Sequence, residues 1–187
     1  RSKIETDIKN TLRLLKNIWM ICKISGKKIK PFMSFGPMPI ANGFLDKKDF
    51  KNEFIFKMEV GFSKDLSLFQ LNEHPKPKLM FNKNYPFFTS SSKYMVQHFK
   101  NFSNWIKNNY FRNAKNIIEI GSNDGSFIRN FKSRNTNILG IEPSANVAKI
   151  AKKKGIKTIN KFFNYENVKK LKNLKNKTNI ITAANAI

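Results

Sequence analysis

The sequence has 187 residues, of which 36 are Lys or Arg and 12 are Asp or Glu, giving a formal charge of +24. The lysines are scattered, and the sequence contains no arginine-rich arm, zinc finger or aromatic RNA-binding motif, so we do not expect a nucleic-acid partner. A single cysteine, Cys22, excludes an internal disulfide and a cysteine-rich zinc site. The apolar stretch 12–24 is too short to span a bilayer and includes basic residues, so we expect a soluble cytoplasmic protein without a membrane partner.

The first 112 residues contain three stretches of different pattern. Residues 1–20 carry apolar side chains at helical spacing and predict a peripheral helix. Residues 21–82 predict a small β-rich module, because apolar side chains alternate from Phe54 to Phe62 and 66–71 has the pattern of a partner strand. Residues 83–112 predict a linker and a helix over 89–110, which serines at 90–92 can cap.

From residue 113 to 187, short apolar strands alternate with helices. We predict strands at 117–120, 137–141, 156–159 and 179–183, and helices at 126–132, 145–154 and 165–171. This alternation predicts an α/β fold with a parallel, Rossmann-like sheet and right-handed crossovers. The sequence starts without a methionine and stops after the fourth strand, so we expect a piece of a longer polypeptide with an incomplete sheet.

A glycine turn follows the first of these parallel strands. Gly121 permits backbone torsions that other residues avoid, and free amides at the start of the next helix are expected to point into the same crevice. Ligands of such sheets bind beyond the carboxyl ends of the strands. The predicted cofactor-binding turn consists of Gly121, Ser122, Asn123, Asp124 and Gly125.

Acidic residues end the first two parallel strands. Glu119 is expected near the cationic amino-acid end of a cofactor, and Glu142 has the spacing of an acid that binds ribose hydroxyls. Two acids suit S-adenosylmethionine, which has a positive sulfonium and no pyrophosphate. A pyrophosphate cofactor favours G-x-G-x-x-G, in which Asn123 stands in place of the middle glycine. The alternative is that both acids are ordinary residues at strand ends.

Several motifs resemble the sugar C-methyltransferase family. They are Glu-Ile-Gly-Ser-Asn-Asp-Gly at 119–125, Gly-Ile-Glu-Pro-Ser at 140–144, Asn-Val-Ala at 146–148, and upstream segments at 35–42, 68–71 and 85–92. The resemblance covers roughly residues 22–187 in the family's order, which makes a chance match improbable. It implies a class I, Rossmann-like methyltransferase that uses S-adenosylmethionine to methylate a nucleotide-linked keto-deoxysugar.

The resemblance also implies roles for individual residues. Tyr85 and His98 match positions that face the sugar pocket, and both are our candidate catalytic residues. Asn185 matches a position that lines the cofactor crevice. For His98 the alternative is a histidine packed on a helix face, and for Asn185 an ordinary loop residue.

The sequence departs from the family pattern in two respects. The family's N-terminal module binds zinc through two C-x-x-C pairs, but here Ser25 follows the surviving Cys22, and Ser63 and Leu66 occupy the second pair. One cysteine cannot build a tetrahedral site, so we predict no metal. The family's base, a histidine in a Glu-His pair, falls after the fourth strand and is absent from this sequence. We therefore expect these 187 residues alone to lack turnover, and to self-associate through an open strand edge.

Two other functions remain open from the sequence. A nucleic-acid (RNA) methyltransferase on the same fold would show a loop such as Asn-Pro-Pro-Tyr after the fourth strand, where this chain has Ala-Asn-Ala-Ile. The chain could also be a fragment that binds the cofactor or a partner without turnover.

Overall fold

The computed structural model describes residues 19–110, 113, 115–171 and 177–184. The chain divides into two compact units, Arg1–Met80 and Phe81–Ile187. Most of the helix predicted at 1–20 lies outside the described residues, but its end is wrong, because Met20 belongs to a strand and pairs with Ile29. No helix in the described part of the chain is long and apolar enough to cross a membrane.

The first unit consists mainly of short antiparallel strands. A two-stranded ribbon and a three-stranded sheet are formed by β1 (Met20–Ile21), β2 (Lys28–Ile29), β3 (Pro31–Pro39), β4 (Ile55–Ser63) and β5 (Leu68–Leu71). A 3-10 helix at Lys47–Asn52 and the helix α1 (Pro77–Met80) complete the described elements. The strand pair predicted over 54–62 and 66–71 is present as β4 and β5, which pair directly.

The side of β4 that faces inward differs from the prediction. Phe56 is buried as expected, but Glu59, Gly61 and Ser63 are buried further along the strand, in place of Met58, Val60 and Phe62. The buried face of β4 changes between Phe56 and Glu59. The pairing of β4 with β3 is irregular at two places, between Pro31 and Met33 and between Ser34 and Pro37, and the extra residue lies in β3 each time. A strict alternation in the sequence of β4 does not predict this change of face.

The second unit contains a four-stranded, wholly parallel sheet. Its strands are β6 (Asn116–Ile120), β7 (Asn137–Ile141), β8 (Thr158–Ile159) and β9 (Ile180–Thr182), in the spatial order β8-β7-β6-β9. The predicted α/β class is confirmed. Numbered within this sheet, the order is 3-2-1-4, so the chain reverses its direction of winding beside β6, and ligands of parallel sheets bind at such a point.

Three α-helices of the second unit correspond to predicted ones with changed bounds. They are α2 (Lys93–Asn109), α3 (Ala145–Lys153) and α4 (Tyr165–Val168). A 3-10 helix at Thr89–Ser91 precedes α2, whose N-terminal amide at Met95 donates to the Ser92 hydroxyl over 3.2 Å.

The helix predicted at 126–132 is wrong, because only a 3-10 helix at Ile128–Phe131 forms. The Ser126 amide donates to Asp124 Oδ1 over 3.2 Å, and the Ile128 amide donates to Glu119 Oε2 over 3.0 Å. These amides lie in the first turn, where a helix amide has no partner within the helix, so the two carboxylates cap the segment. The Asn130 side chain is what competes with the backbone, because its Nδ2 donates to the Ser126 and Phe127 carbonyls over 3.0 and 2.9 Å.

Apolar side chains pack on both faces of the parallel sheet. On one face Phe127 is 2% exposed and stacks on Phe99 and Phe102 of α2, with centroid distances of 4.8 and 5.5 Å. Fully burying an aromatic or aliphatic side chain contributes about 1.5–3 kcal/mol, so this cluster supplies much of the unit's stability. The other face carries a smaller cluster around Leu139.

Gly140 of β7 provides the first testable prediction. A Cβ there would lie 2.4 Å from Ser122 Oγ and 2.9 Å from Ser122 Cβ, so the turn after β6 could no longer pack against β7. We expect Gly140→Ala to lower the free energy of unfolding by about 1–3 kcal/mol, measured by urea denaturation. A double-mutant cycle with Ser122→Gly should recover much of the loss; additive effects would contradict the contact as its cause.

Candidate functional site

A crevice of about 860 Å³ lies within the second unit at the carboxyl ends of β6 and β7. The strand ends contribute Glu119 and Glu142, and the turn after β6 contributes Gly121, Ser122 and Asn123. Aromatic side chains form much of the remaining wall: Phe81, Tyr85, Phe87, Phe88, Phe99, Phe127, Phe162 and Phe163. The crevice therefore combines two carboxylates with a largely apolar lining.

The turn after β6 has three residues with positive φ: Gly121 at 65°, Asn123 at 49° and Gly125 at 77°. Gly121 and Ser122 donate their amides to the Ile141 carbonyl over 2.8 and 3.2 Å, which fixes the turn to the end of β7. The sequence correctly identified Gly121 as a position of special backbone conformation.

The amides of this turn are directed differently from the prediction. After Gly121 and Ser122, the next three backbone amides also donate within the protein. The Asn123 amide donates to the Glu142 carboxylate, the Asp124 amide to the Asn123 side chain, and the Gly125 amide to the Ser122 carbonyl. The Ser126 and Ile128 amides donate to carboxylates, as described above. All these donors are therefore used within the protein, and the turn offers no cradle of free amides of the kind that binds a pyrophosphate.

Glu119 is buried at the end of β6, with 3% of its surface exposed. Burial raises its pKa to about 8, since the hydrogen bond from the Ile128 amide only partly opposes the effect, and the nearby charges of Asp124 and Glu142 add to it. A carboxyl group in this state gains from a cation placed beside it, because the cation stabilises its ionised form.

Glu142 is also buried, at the end of β7, and backbone amides hold both of its oxygens. Oε2 accepts from the Asn123 amide over 2.9 Å, and Oε1 accepts from the Ser144 amide over 2.8 Å. Each carboxylate oxygen can accept a further hydrogen bond, so Glu142 can still bind donors in the crevice. The two hydrogen bonds fix the orientation of the Glu142 carboxylate and so the direction from which it can accept further hydrogen bonds.

Asp124 and Gly125 were predicted to bind cofactor, but neither lines the crevice. Asp124 is fully buried, and Lys154 Nζ lies 3.1 Å from its Oδ2. Burial alone would raise its pKa, but hydrogen bonds from Ser126, Ser90 and Lys154 outweigh it and lower the pKa. A Cβ at Gly125 would lie 3.0 Å from the Ile156 side chain, so this glycine permits packing.

The two candidate catalytic residues lie in different environments. Tyr85 lines the crevice, and burial followed by the charge of Glu142 raises the pKa of its hydroxyl. His98 is exposed on α2 and stacks on Phe102 at 6.2 Å, while Met95 and Phe99 of the same helix line the crevice. The structure therefore does not bring His98 and Tyr85 together. Asn185 lies outside the described residues.

Ser122, predicted to bind cofactor, lines the crevice, and its buried Oγ has no hydrogen-bond partner among the described residues. Sequence reasoning missed the aromatic wall of the crevice, although the density of aromatic residues at 81–88 and 162–163 was a visible signal.

In the first unit, Cys22 is 1% exposed and its sulfur is surrounded by hydrogen-bond donors. The Ser25 hydroxyl, the amides of Ser25 and Ile24, and the Ser63 hydroxyl together lower the pKa of the thiol to about 7, against the effect of burial. Among the described residues, no group of three or more His, Cys, Asp and Glu side chains could hold a metal ion.

Comparisons with known proteins agree with this organisation. Residues 22–81 match a protein-family model described as "Putative zinc binding domain". The chain is 26% identical over 129 residues to the C-methyltransferase NovU of Streptomyces niveus. The match covers 68% of this chain but only 30% of NovU, so the chain spans about a third of the length of that relative.

Among solved structures, the plantazolicin methyltransferase BamL, in complex with a triazolic desmethylPZN analog and SAH, matches 40% of this chain and 29% of its own. The sequence identity is 23% and the TM-score is 0.30. The resemblance found in the sequence is confirmed as a similarity: over 68% of its length the chain is similar to a C-methyltransferase.

Proposed function

We propose that the second unit binds S-adenosylmethionine in the crevice at the ends of β6 and β7, and that its sheet is the first part of a Rossmann-like methyltransferase sheet. One observation carries this proposal: two buried carboxylates line a crevice whose turn amides are already used within the protein. Such a site suits a cation with ribose hydroxyls and does not suit a pyrophosphate.

The residues of the crevice fit the parts of this cofactor. Glu119, whose pKa is raised, would bind the cationic methionine end, and Glu142 would accept from the ribose hydroxyls. Tyr85 and Phe162 both contact Phe81, at 5.6 and 6.3 Å between ring centroids, and this aromatic cluster suits the flat adenine. Bound S-adenosylmethionine supplies a methyl group activated by its sulfonium.

For the acceptor, we propose a carbon beside the ketone of a nucleotide-linked deoxysugar. The similarity to a C-methyltransferase supports this choice. The ketone makes the neighbouring C–H acidic, so a base would remove that proton. The resulting enolate carbon would bond to the methyl carbon as the bond from that carbon to the sulfonium sulfur breaks, leaving S-adenosylhomocysteine. Of the two predicted catalytic side chains only Tyr85 lines the crevice, so it is the one that we propose to contact the acceptor.

The cofactor proposal predicts measurable binding. Calorimetric titration with S-adenosylmethionine and S-adenosylhomocysteine should show binding to both and none to NAD. Gly121→Val should weaken both by about a hundredfold or more, or about 2.7 kcal/mol, because φ is 65° and a side chain there enters the crevice.

Gly26→Val is the matched control for Gly121→Val. Gly26 has a similar φ of 70° but lies in the first unit, where a Cβ would meet no atom of the described residues within 4 Å beyond its chain neighbours. The strain is therefore comparable while the crevice is untouched, and cofactor affinity should not change. Equal affinity for NAD, or equal loss in both variants, would contradict the assignment.

Cofactor affinity should depend on pH through Glu119. The free protein holds a proton on this carboxyl below its pKa of about 8, and a bound cation favours the ionised form, so binding releases a proton. Affinity should therefore rise between about pH 6 and 8, by up to about tenfold per unit, and level off above the pKa. Calorimetry at several pH values measures the slope.

Glu119→Gln provides the control for this pH dependence. The amide keeps an oxygen for the Ile128 N–H but carries no charge, so cofactor affinity should be lower and nearly independent of pH in the same range. Any pH dependence of affinity that remains in Glu119→Gln comes from titration of the cofactor itself or of other groups in the protein. The same slope in both proteins would exclude Glu119 as its source.

We also propose that the first unit folds without zinc, although the family it matches is described as zinc binding. One thiol, two serine hydroxyls and the side chain of Leu66 do not provide four metal ligands. Metal analysis should find well below about one zinc per chain, and a chelator should leave the melting temperature unchanged. Restoring the ligands with Ser25→Cys, Ser63→Cys and Leu66→Cys together should create zinc binding; stoichiometric zinc in the unmodified protein would refute the proposal.

A further inference from the structure

Residues 85–90, here called the aromatic strap, cross one side of the crevice without forming regular structure before Thr89. Three crevice-lining aromatic side chains, Tyr85, Phe87 and Phe88, belong to it. Because the backbone there lacks the hydrogen bonds of a helix or sheet, side chains from elsewhere must hold it in place.

Asn123 of the glycine turn makes two of these contacts. Its Nδ2 donates to the Phe87 carbonyl over 3.1 Å, and its Oδ1 accepts from the Thr89 amide over 2.9 Å. Both ends of one amide group are therefore bonded to the strap, two residues apart. This pairing fixes the strap's position and also its orientation.

Two further residues hold the strap at its ends. Asp124 Oδ2 accepts from the Ser90 amide over 3.0 Å, and Asn146 Nδ2 donates to the Tyr85 carbonyl over 2.7 Å. Asp124 is anchored in turn by Lys154 and by the Ser126 hydroxyl, which bonds Oδ1 over 2.6 Å. Bonds to a buried, ionised carboxylate are stronger than those between neutral groups.

The residue type at position 123 is informative. Its φ of 49° lies in the left-handed region, where glycine is the least strained residue, and asparagine is one of the few others that tolerate it. A glycine would meet the backbone requirement but would not bind the strap. Meanwhile the Asn123 amide bonds Glu142 Oε2, so one residue connects the strap to the carboxylate at the end of β7.

We propose that Asn123 and Asp124 are positioning residues that hold the aromatic strap as the wall of the cofactor site. This inference rests on the proposed function, because the ligand that the strap encloses is S-adenosylmethionine. Asp124 acts without touching the crevice, which explains why a residue of the glycine turn is fully buried. A ligand at Glu142 and the position of the strap are thereby coupled through Asn123.

The experiment uses Asn123→Gly, which keeps the backbone conformation and the amide bonded to Glu142 but deletes both side-chain bonds to the strap. Hydrogen exchange followed by NMR should show the Thr89 amide exchanging at least about tenfold faster, while Ile118 in β6 is unchanged. Affinity for S-adenosylmethionine should fall about tenfold, as expected for the loss of two hydrogen bonds near a ligand.

Two further variants separate positioning from general stability. Asn130→Ala removes a side chain that donates to the Ser126 and Phe127 carbonyls, next to the same turn but away from the strap. It should leave both the exchange of Thr89 and the affinity unchanged. Asn123→Asp keeps the acceptor for the Thr89 amide but loses the donor to Phe87, so Thr89 should recover most of its protection.

The outcomes distinguish this inference from the proposed function. Unchanged exchange at Thr89 in Asn123→Gly would overturn the role of Asn123 in holding the strap. Faster exchange with unchanged affinity would overturn its role as a positioning residue. If the unmodified protein binds no S-adenosylmethionine, the proposed function fails and the coupling to the cofactor fails with it, while the exchange result still decides whether Asn123 holds the strap.

Discussion

The architecture of the second unit depends on burying three carboxylates, Glu119, Asp124 and Glu142, next to one short turn. A buried carboxylate is costly unless hydrogen bonds surround it, and here the donors are backbone amides of the turn and its neighbours. Amides of the turn that could otherwise point into the crevice are therefore bonded to these acids or to other groups of the turn. The conformation of the turn and the chemistry of the site both follow from this.

The three acids differ in how completely they are compensated. Asp124 has Lys154 and several donors, Glu142 has two amides, and Glu119 has a single amide. Burial raises the pKa of Glu119 to about 8, and this acid has the fewest donors and two anionic neighbours. Below that pKa Glu119 holds a proton, and a positively charged ligand group beside it would favour its ionised form.

The sequence predicted the type of most elements in the second unit, because short apolar strands separated by polar, helix-forming segments have few other arrangements. It also identified Gly121, Glu119 and Glu142, whose positions at strand ends determine where they lie. It failed where a side chain competes with the backbone, as in the helix predicted at 126–132, where the Asn130 side chain bonds the Ser126 and Phe127 carbonyls. Spacing alone does not reveal such a bond.

Asp124 and His98 do not line the crevice, for different reasons. A sequence motif does not show which polar residues of a turn contact the ligand. Asp124 points away from the crevice and binds the Ser90 amide and the Lys154 side chain. His98 and Phe99 are adjacent on α2, and adjacent helix residues are rotated by roughly 100° from each other. Phe99 therefore lies in the crevice wall while His98 is exposed to solvent. Such differences are decided by packing and not by spacing.

In the first unit, too, buried polar groups are surrounded by hydrogen-bond partners; these groups are Cys22 and Glu59. Glu59 is bonded by Lys57 at 2.8 Å and by Asn72 at 3.0 Å, and the Cys22 sulfur is surrounded by donors that include the hydroxyls of Ser25 and Ser63. In a zinc site, thiolates would hold the loop through the metal ion. Here hydroxyl and amide donors contact the sulfur of Cys22. A hydrogen bond contributes about 0.5–1.5 kcal/mol, far less than a structural zinc site, so these donors do not match the stability that a bound zinc would give the module.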